Sequence, residues 1–126
     1  MKKLIVIALF SICLYSNHIN WLGNYNRALI KANKENKPMF VLLIKNDCKE
    51  CKNIVRDLFT NKSYIDKINK NYVAVIINYD SQDYPIELFY STIFPTLFFV
   101  DSKTETFINK PLYSSEIVEK ELSKLF

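Results

Sequence analysis

Apolar and polar positions alternate along this chain with periods that change from segment to segment. Trp21, Tyr25, Ala28, Leu29 and Ala32 recur at helical spacing, with Asn20 placed to cap the start and Pro38 to end the pattern. Met39 to Lys45 is then a near-unbroken apolar run of strand length, the pattern of a strand covered on both faces. Helical spacing returns at Ile54, Val55, Leu58 and Phe59, which predicts a helix starting at or near Cys48. A short helix from Ser63 through Ile65 and Ile68 precedes a second β-branched strand, Tyr72 to Ile77. Pro85 suits the first turn of a helix reaching about Tyr90. Thr96 to Val100 reads as a third strand, Asp101 to Thr104 as its turn, and Glu105 to Ile108 as a hairpin partner. Ser114 or Ser115 is placed to cap a last helix with Val118, Leu122 and Leu125 on one stripe. The order is α-β-α-β-α-β-β-α. Buried strands joined by helical crossovers pair in parallel, so a central mixed β-sheet flanked by helices on both faces is expected.

The first residues follow a different rule. Lys2 and Lys3 precede residues 4–15, which are apolar apart from Ser11, the pattern of a secretory leader. Such a stretch is short for a bilayer span, which takes about 18 or more apolar residues. Residues 1–16 are therefore expected to be a signal peptide and 17–126 one folded domain, in the periplasm or secreted. Left uncleaved, the leader would anchor that domain to the membrane, facing the periplasm. Cleavage after Cys13 or after Ser16 both fit, and either removes Cys13. A lipid-bearing Cys13 is the remaining option, with bulky Ile12 against it.

Length and charge narrow the rest. The 126 residues hold one domain with one core. The formal charge of +4, from 17 Lys and Arg against 13 Asp and Glu, drops to +2 without Lys2 and Lys3. A surplus that small and evenly spread gives no warrant for binding nucleic acid.

Two of the three cysteines, Cys48 and Cys51, stand at C-x-x-C spacing where the first strand turns into a helix. A redox couple, half of a metal site and a structural staple all remain open. A metal site wants further ligands, and beyond residue 16 the chain has one His, His18, and one Met, Met39. A staple closing so small a loop stabilises little, because the gain grows with loop length. A redox cysteine needs a group that favours its thiolate, and the unpaired N–H groups and dipole of a helix start supply one. Cys48 is then the attacking residue and Cys51, nearly a turn later, the resolving one. Lys45, Lys49 and Lys52 favour the thiolate, whereas Asp47 and Glu50 oppose it. No His lies between the cysteines, which points to a reductant or mild exchanger. A second signal is Phe94-Pro95-Thr96, with Pro95 leading into a strand where its missing N–H is tolerated.

Cys48-Lys49-Glu50-Cys51 at a strand-to-helix turn, followed 47 positions after Cys48 by Pro95 before a strand, resembles the thioredoxin superfamily. The stretches Ala28 to Val41 and Leu58 to Val75 resemble its small exported members, and the likeness spans about 17–126. The resemblance implies a thioredoxin-like fold, a cis Phe94-Pro95 bond packed against the disulfide, and a Phe94 backbone that pairs with an extended substrate. It also implies thiol-disulfide exchange on protein substrates, with no cofactor. Electrons would come from a membrane-bound donor if the protein works outside the cytoplasm. The chain departs from thioredoxin itself: Asp47 replaces a Trp, Lys49-Glu50 replaces Gly-Pro, and Leu42 and Ile76 fall where a buried acid and its lysine are expected. These losses also fit a binding or scaffold protein with a non-catalytic cysteine pair, and the two thiols alone fit a metal chaperone. Tyr79, Tyr84 and Tyr90 are candidates for the wall of a client groove, and Trp21 is a packing residue.

Overall fold

A computed structural model of the chain describes residues 18–125. The leader expected at 1–16, Cys13 included, lies outside them. The helices are α1 (Tyr25–Glu35), α2 (Lys49–Asp57), α3 (Lys62–Asn71) and α4 (Glu119–Ser123). The strands are β1 (Met39–Ile44), β2 (Val73–Asn78), β3 (Thr96–Asp101), β4 (Thr106–Phe107) and β5 (Leu112–Tyr113). The sheet runs β2-β1-β3-β4, with β5 also paired to β3. β1 is parallel to β2 and antiparallel to β3. This is the expected mixed sheet with helices on both faces.

Strand alternation divides the core in two. Met39, Val41 and Leu43 of β1 face α1, packing with Tyr25, Ala28, Ala32, Phe89 and Phe98. Phe40 and Leu42 face the other way, against Phe59, Ile65, Ile68, Phe99 and Leu122. Phe40 is the centre of this second layer, its ring 5.4–5.9 Å from those of Trp21, Phe59, Tyr72 and Phe99. Offset and edge-on pairs of this kind add to the burial of the rings themselves.

Five elements differ from the sequence reading. Helix α1 starts at Tyr25, capped by the Asn24 side chain accepting from the Arg27 N–H at 3.0 Å. Trp21 and Leu22 are extended instead, and Leu22 bridges Val75 at the outer edge of β2. Helix α3 is capped by Asn61 rather than Ser63. The helix expected from Pro85 to Tyr90 is only a turn, in which the Leu88 and Phe89 N–H groups both donate to the Pro85 carbonyl. Ser91 stops it, because its hydroxyl binds the backbone two residues on and competes with a helical ladder. Serines 114 and 115 open a 3₁₀ turn, and α4 follows from a Val118 cap. Strand β5 was not foreseen, being two residues long after Pro111. Among the described residues no helix is long and apolar enough to cross a membrane.

Candidate active site

Three segments meet at the C-terminal end of the parallel strands. The first is the turn from β1 into α2. Asp47 holds a left-handed conformation, φ 54°, which Asp tolerates better than most residues. The Asn46 N–H donates to Asp80 Oδ2 at 2.7 Å, and Asn78 Nδ2 donates to Asn46 Oδ1 at 3.0 Å. The turn is thereby tied to the end of β2.

Cys48 is the N-cap of α2, with extended backbone, and its Sγ accepts the Cys51 N–H at 3.1 Å. One of the helix's unpaired first-turn donors is thus aimed at this sulfur. Cys48 and Cys51 are joined as a disulfide, their Cα atoms 5.3 Å apart. Cys48 is 8% exposed and Cys51 3%. Both residues are buried, Cys48 slightly the less so.

The second segment runs from Ser91 to Thr96. Ser91 Oγ lies 2.9 Å from Thr96 Oγ1, the Thr96 hydroxyl donates to the Ile93 carbonyl at 2.6 Å, and the Ile93 N–H donates back to Ser91 Oγ at 3.1 Å. Both side chains are buried. This network shapes the loop that presents Phe94 and Pro95, whose peptide bond is cis. The Pro95 carbonyl accepts from the Ser114 N–H at 2.8 Å, fastening the loop to the start of the 3₁₀ turn. The Phe94 ring packs edge-on to Tyr79 at 5.2 Å, and Lys45 Nζ sits 5.5 Å from its centroid. Lys45 therefore links the cysteine turn to the proline loop.

The third segment is the upper end of the sheet beneath α2. A cleft of about 840 Å³ opens there, with Ile44, Val55 and Ile76 as its apolar part and both cysteines in its wall. Lys45, Lys52 and Arg56 also line it, and Asp47 is the one carboxylate that does. Leu42 and Ile76 are direct partners in the β1–β2 register. The two positions where the resemblance expects an acid and a lysine are thus neighbouring apolar side chains, Leu42 fully buried and Ile76 half-buried.

Of the three tyrosines considered for a groove, Tyr79 stands beside Phe94 and Tyr90 is exposed. Tyr84 belongs to the core, and burial raises its pKa above the ordinary tyrosine value. Among the described residues no group of three or more His, Cys, Asp or Glu is placed to hold a metal. Sequence reading missed the Ser91–Thr96 hydroxyl pair, although both residues stand within five positions and Ser/Thr pairs flanking a proline loop are a usable signal. It also missed the cleft, which no local pattern announces.

Comparison with known proteins agrees with this architecture. A solution structure of a Bacteroides thetaiotaomicron protein, provisionally titled a disulphide-isomerase, superposes with a TM-score of 0.71 at 23% identity, covering 88% of this chain and 93% of that one. A structure titled DsbH oxidoreductase superposes at 0.68 with 16% identity, covering 86% and 82%. At such identities the likeness is one of fold. Among curated proteins, an uncharacterized protein of Borreliella burgdorferi is 38% identical over 87 residues, 66% of this chain and 35% of that protein. Anterior gradient protein 2-B of Xenopus laevis is 26% identical over 87 residues, 69% of this chain and 52% of that protein. The chain spans about half the length of these relatives or less. The family model described as thioredoxin-like matches residues 20–102, which take in α1, the cysteine pair, the proline loop and β3. On that match the chain belongs to the thioredoxin-like family.

Proposed function

We propose that this protein is an exported thiol-disulfide oxidoreductase that reduces or exchanges disulfides in protein clients. The observation that carries the reading is the placement of Cys48 Sγ at the start of α2, accepting the Cys51 N–H, with Cys51 within bonding reach. In the reduced protein that same N–H and the helix dipole favour the Cys48 thiolate. The thiolate attacks one sulfur of a client disulfide, forming a mixed disulfide and expelling the other client sulfur as thiolate. Cys51 then loses its proton and attacks Cys48 Sγ, forming the Cys48–Cys51 disulfide and releasing the second client thiolate. Two electrons have passed to the client, and both client thiolates take up protons from solvent. A membrane-bound dithiol donor returns the two electrons. The catalytic pair needs no cofactor.

Phe94 and Pro95 are the proposed client-binding backbone, held rigid by the Ser91–Thr96 pair. Export to the periplasm or beyond rests on the leader pattern of residues 1–16. The second reading, a thioredoxin-fold scaffold with an idle cysteine pair, draws on the apolar Leu42 and Ile76, which leave no buried carboxylate at those positions to accept the Cys51 proton. Insulin reduction and equilibration with a glutathione buffer separate the two. Exchange is expected to occur in the wild type, to vanish in Cys48→Ser, and to stall as trapped mixed disulfides in Cys51→Ser. An unchanged rate in Cys48→Ser would sink the exchange reading.

A further inference from the structure

The cysteine turn is held by more than its own helix. Asp47 keeps a left-handed backbone, φ 54°, at a position where the chain has no glycine, its one glycine being Gly23. That conformation is disfavoured for a residue with a Cβ, although less so for Asp, and it persists where the surroundings fix it. The next residue is Cys48. Whatever fixes Asp47 therefore also fixes where the first sulfur points.

Three polar residues close a clasp on this turn. The Asn46 N–H donates to Asp80 Oδ2 at 2.7 Å, Asn78 Nδ2 donates to Asn46 Oδ1 at 3.0 Å, and the Asp80 N–H donates to Asn78 Oδ1 at 2.9 Å. Asn46 is thereby gripped by its backbone and its side chain at once. The first bond is short, as expected where the acceptor is ionised. Asn78 is itself fixed, being the last residue of β2 and paired with Ile44, and the Tyr79 N–H donates to the Ile44 carbonyl at 2.8 Å. The clasp carries the β1–β2 pairing past the ends of both strands, as far as the residue before Asp47. Core packing gains nothing from it, since Asn46 and Asp80 are exposed and Asn78 is half-buried.

We propose that Asn78 and Asp80 are positioning residues for the disulfide step: their clasp keeps the reduced turn in the geometry that the closed disulfide needs. With the disulfide closed, the bond between the sulfurs holds the turn by itself. With it open, the clasp opposes relaxation of Asp47 out of the left-handed region, a movement that carries Cys48 Sγ away from Cys51. The clasp thus removes open conformations and favours closure. Closure by glutathione disulfide breaks its S–S bond, forms the Cys48–Cys51 bond and passes two electrons to glutathione, whose two sulfurs take up the two cysteine protons. Coupling is reciprocal, so closing the disulfide also tightens the clasp. The inference rests on the exchange reading in taking this pair as one that opens and closes. Client binding stays with Phe94 and Pro95, as none of the three clasp residues belongs to the proline loop.

The test equilibrates the full-length chain, carrying Cys13→Ser, with glutathione redox buffers and counts the free thiols of the Cys48–Cys51 pair. Asp80→Ala removes the acceptor of the Asn46 N–H together with a charge, Asn78→Ala removes the side-chain link with no change of charge, and Asp80→Asn removes the charge but keeps an oxygen acceptor. Both alanine variants are expected to lower the oxidised-to-reduced equilibrium constant about fivefold or more, the range in which coupled sites usually act on one another. Asp80→Asn should stay close to the parent chain. Where Asn78→Ala folds poorly, Asn46→Ala removes the same bond from its other end. Unshifted constants in the alanine variants would overturn the proposal. So would an Asp80→Asn shift as large as that of Asp80→Ala, since charge and not position would then be the cause. The Asn46 amide should exchange with solvent more slowly in the oxidised protein than in the reduced one, and equal rates would contradict the coupling. Insulin reduction measured on the same samples keeps the two ideas apart. A shifted constant without turnover removes the exchange reading and leaves the clasp, and turnover without a shift does the reverse.

Discussion

Phe40 and Ile44 stand on the same strand and the same face, four residues apart, in opposite surroundings. Phe40 is fully buried among four rings. Ile44 is half-buried and borders the cleft. Their neighbours on β2 repeat the contrast: Ala74, opposite Phe40, is buried, whereas Asn78, opposite Ile44, is half-buried. The sheet is closed at the end where the parallel strands begin and open where they end. Tight packing is concentrated in the first region and the candidate site lies in the second. Elements that must admit a partner are drawn from the less packed part of a fold, because a fully packed surface has nothing left to bind with.

The contrast is sharpest in substitution energies. Phe40→Ala removes a ring from the centre of the layer and is expected to cost about 3–5 kcal/mol, read from denaturant unfolding. Ile44→Ala is expected to cost less, about 1–2 kcal/mol, since that side chain is only partly buried and borders the open cleft. Equal losses at the two positions would break the distinction between the ends of the strand.

A smaller effect belongs to the opposite face. The buried Tyr25 hydroxyl donates to Glu105 Oε1 at 2.6 Å, tying α1 to the turn before β4. Burial, reinforced by the Glu105 hydrogen bond and charge, raises the Tyr25 pKa above the ordinary tyrosine value. Burial does the same to Tyr72 and Tyr84. The native state therefore keeps these protons at pH values where the unfolded chain sheds them. Stability from this source is complete below about pH 10, the unfolded value, and declines as the pH rises beyond it. Tyr25→Phe should cost about 1 kcal/mol at neutral pH and make the alkaline decline shallower. Unfolding curves at pH 8 to 11 check both, and an unchanged alkaline slope would show that Tyr25 takes no part in it.

What the residue pattern revealed was whatever is local. The continuous apolar runs of β1, β2 and β3 mark strands covered on both faces, and the C-x-x-C marks its own turn because cap, dipole and both sulfurs lie within four residues. The helix expected after Pro85 failed through a competitor of the same rank, the Ser91 hydroxyl, which satisfies the backbone in another way. Trp21 and Leu22 match helical spacing, yet the bridge from Leu22 to Val75 draws them out as an edge segment. A pairing more than fifty positions away overrides a local period. The cleft was illegible for that reason as well: Ile44, Val55 and Ile76 come from three elements, and only their placement in the fold brings them to one opening; the apolar Leu42 and Ile76 were legible as residues, and the register adds that they are neighbours.

The central claim is that the start of α2 holds one sulfur ready to react. Alkylation of the reduced protein by iodoacetamide, followed across pH in a chain carrying Cys13→Ser and Cys51→Ser to isolate Cys48, measures this directly. The account predicts a Cys48 thiolate that persists well below the free-cysteine value of about 8.5, with half-reaction between roughly 3.5 and 7.5. A rate that rises only around pH 8.5 or above would contradict it.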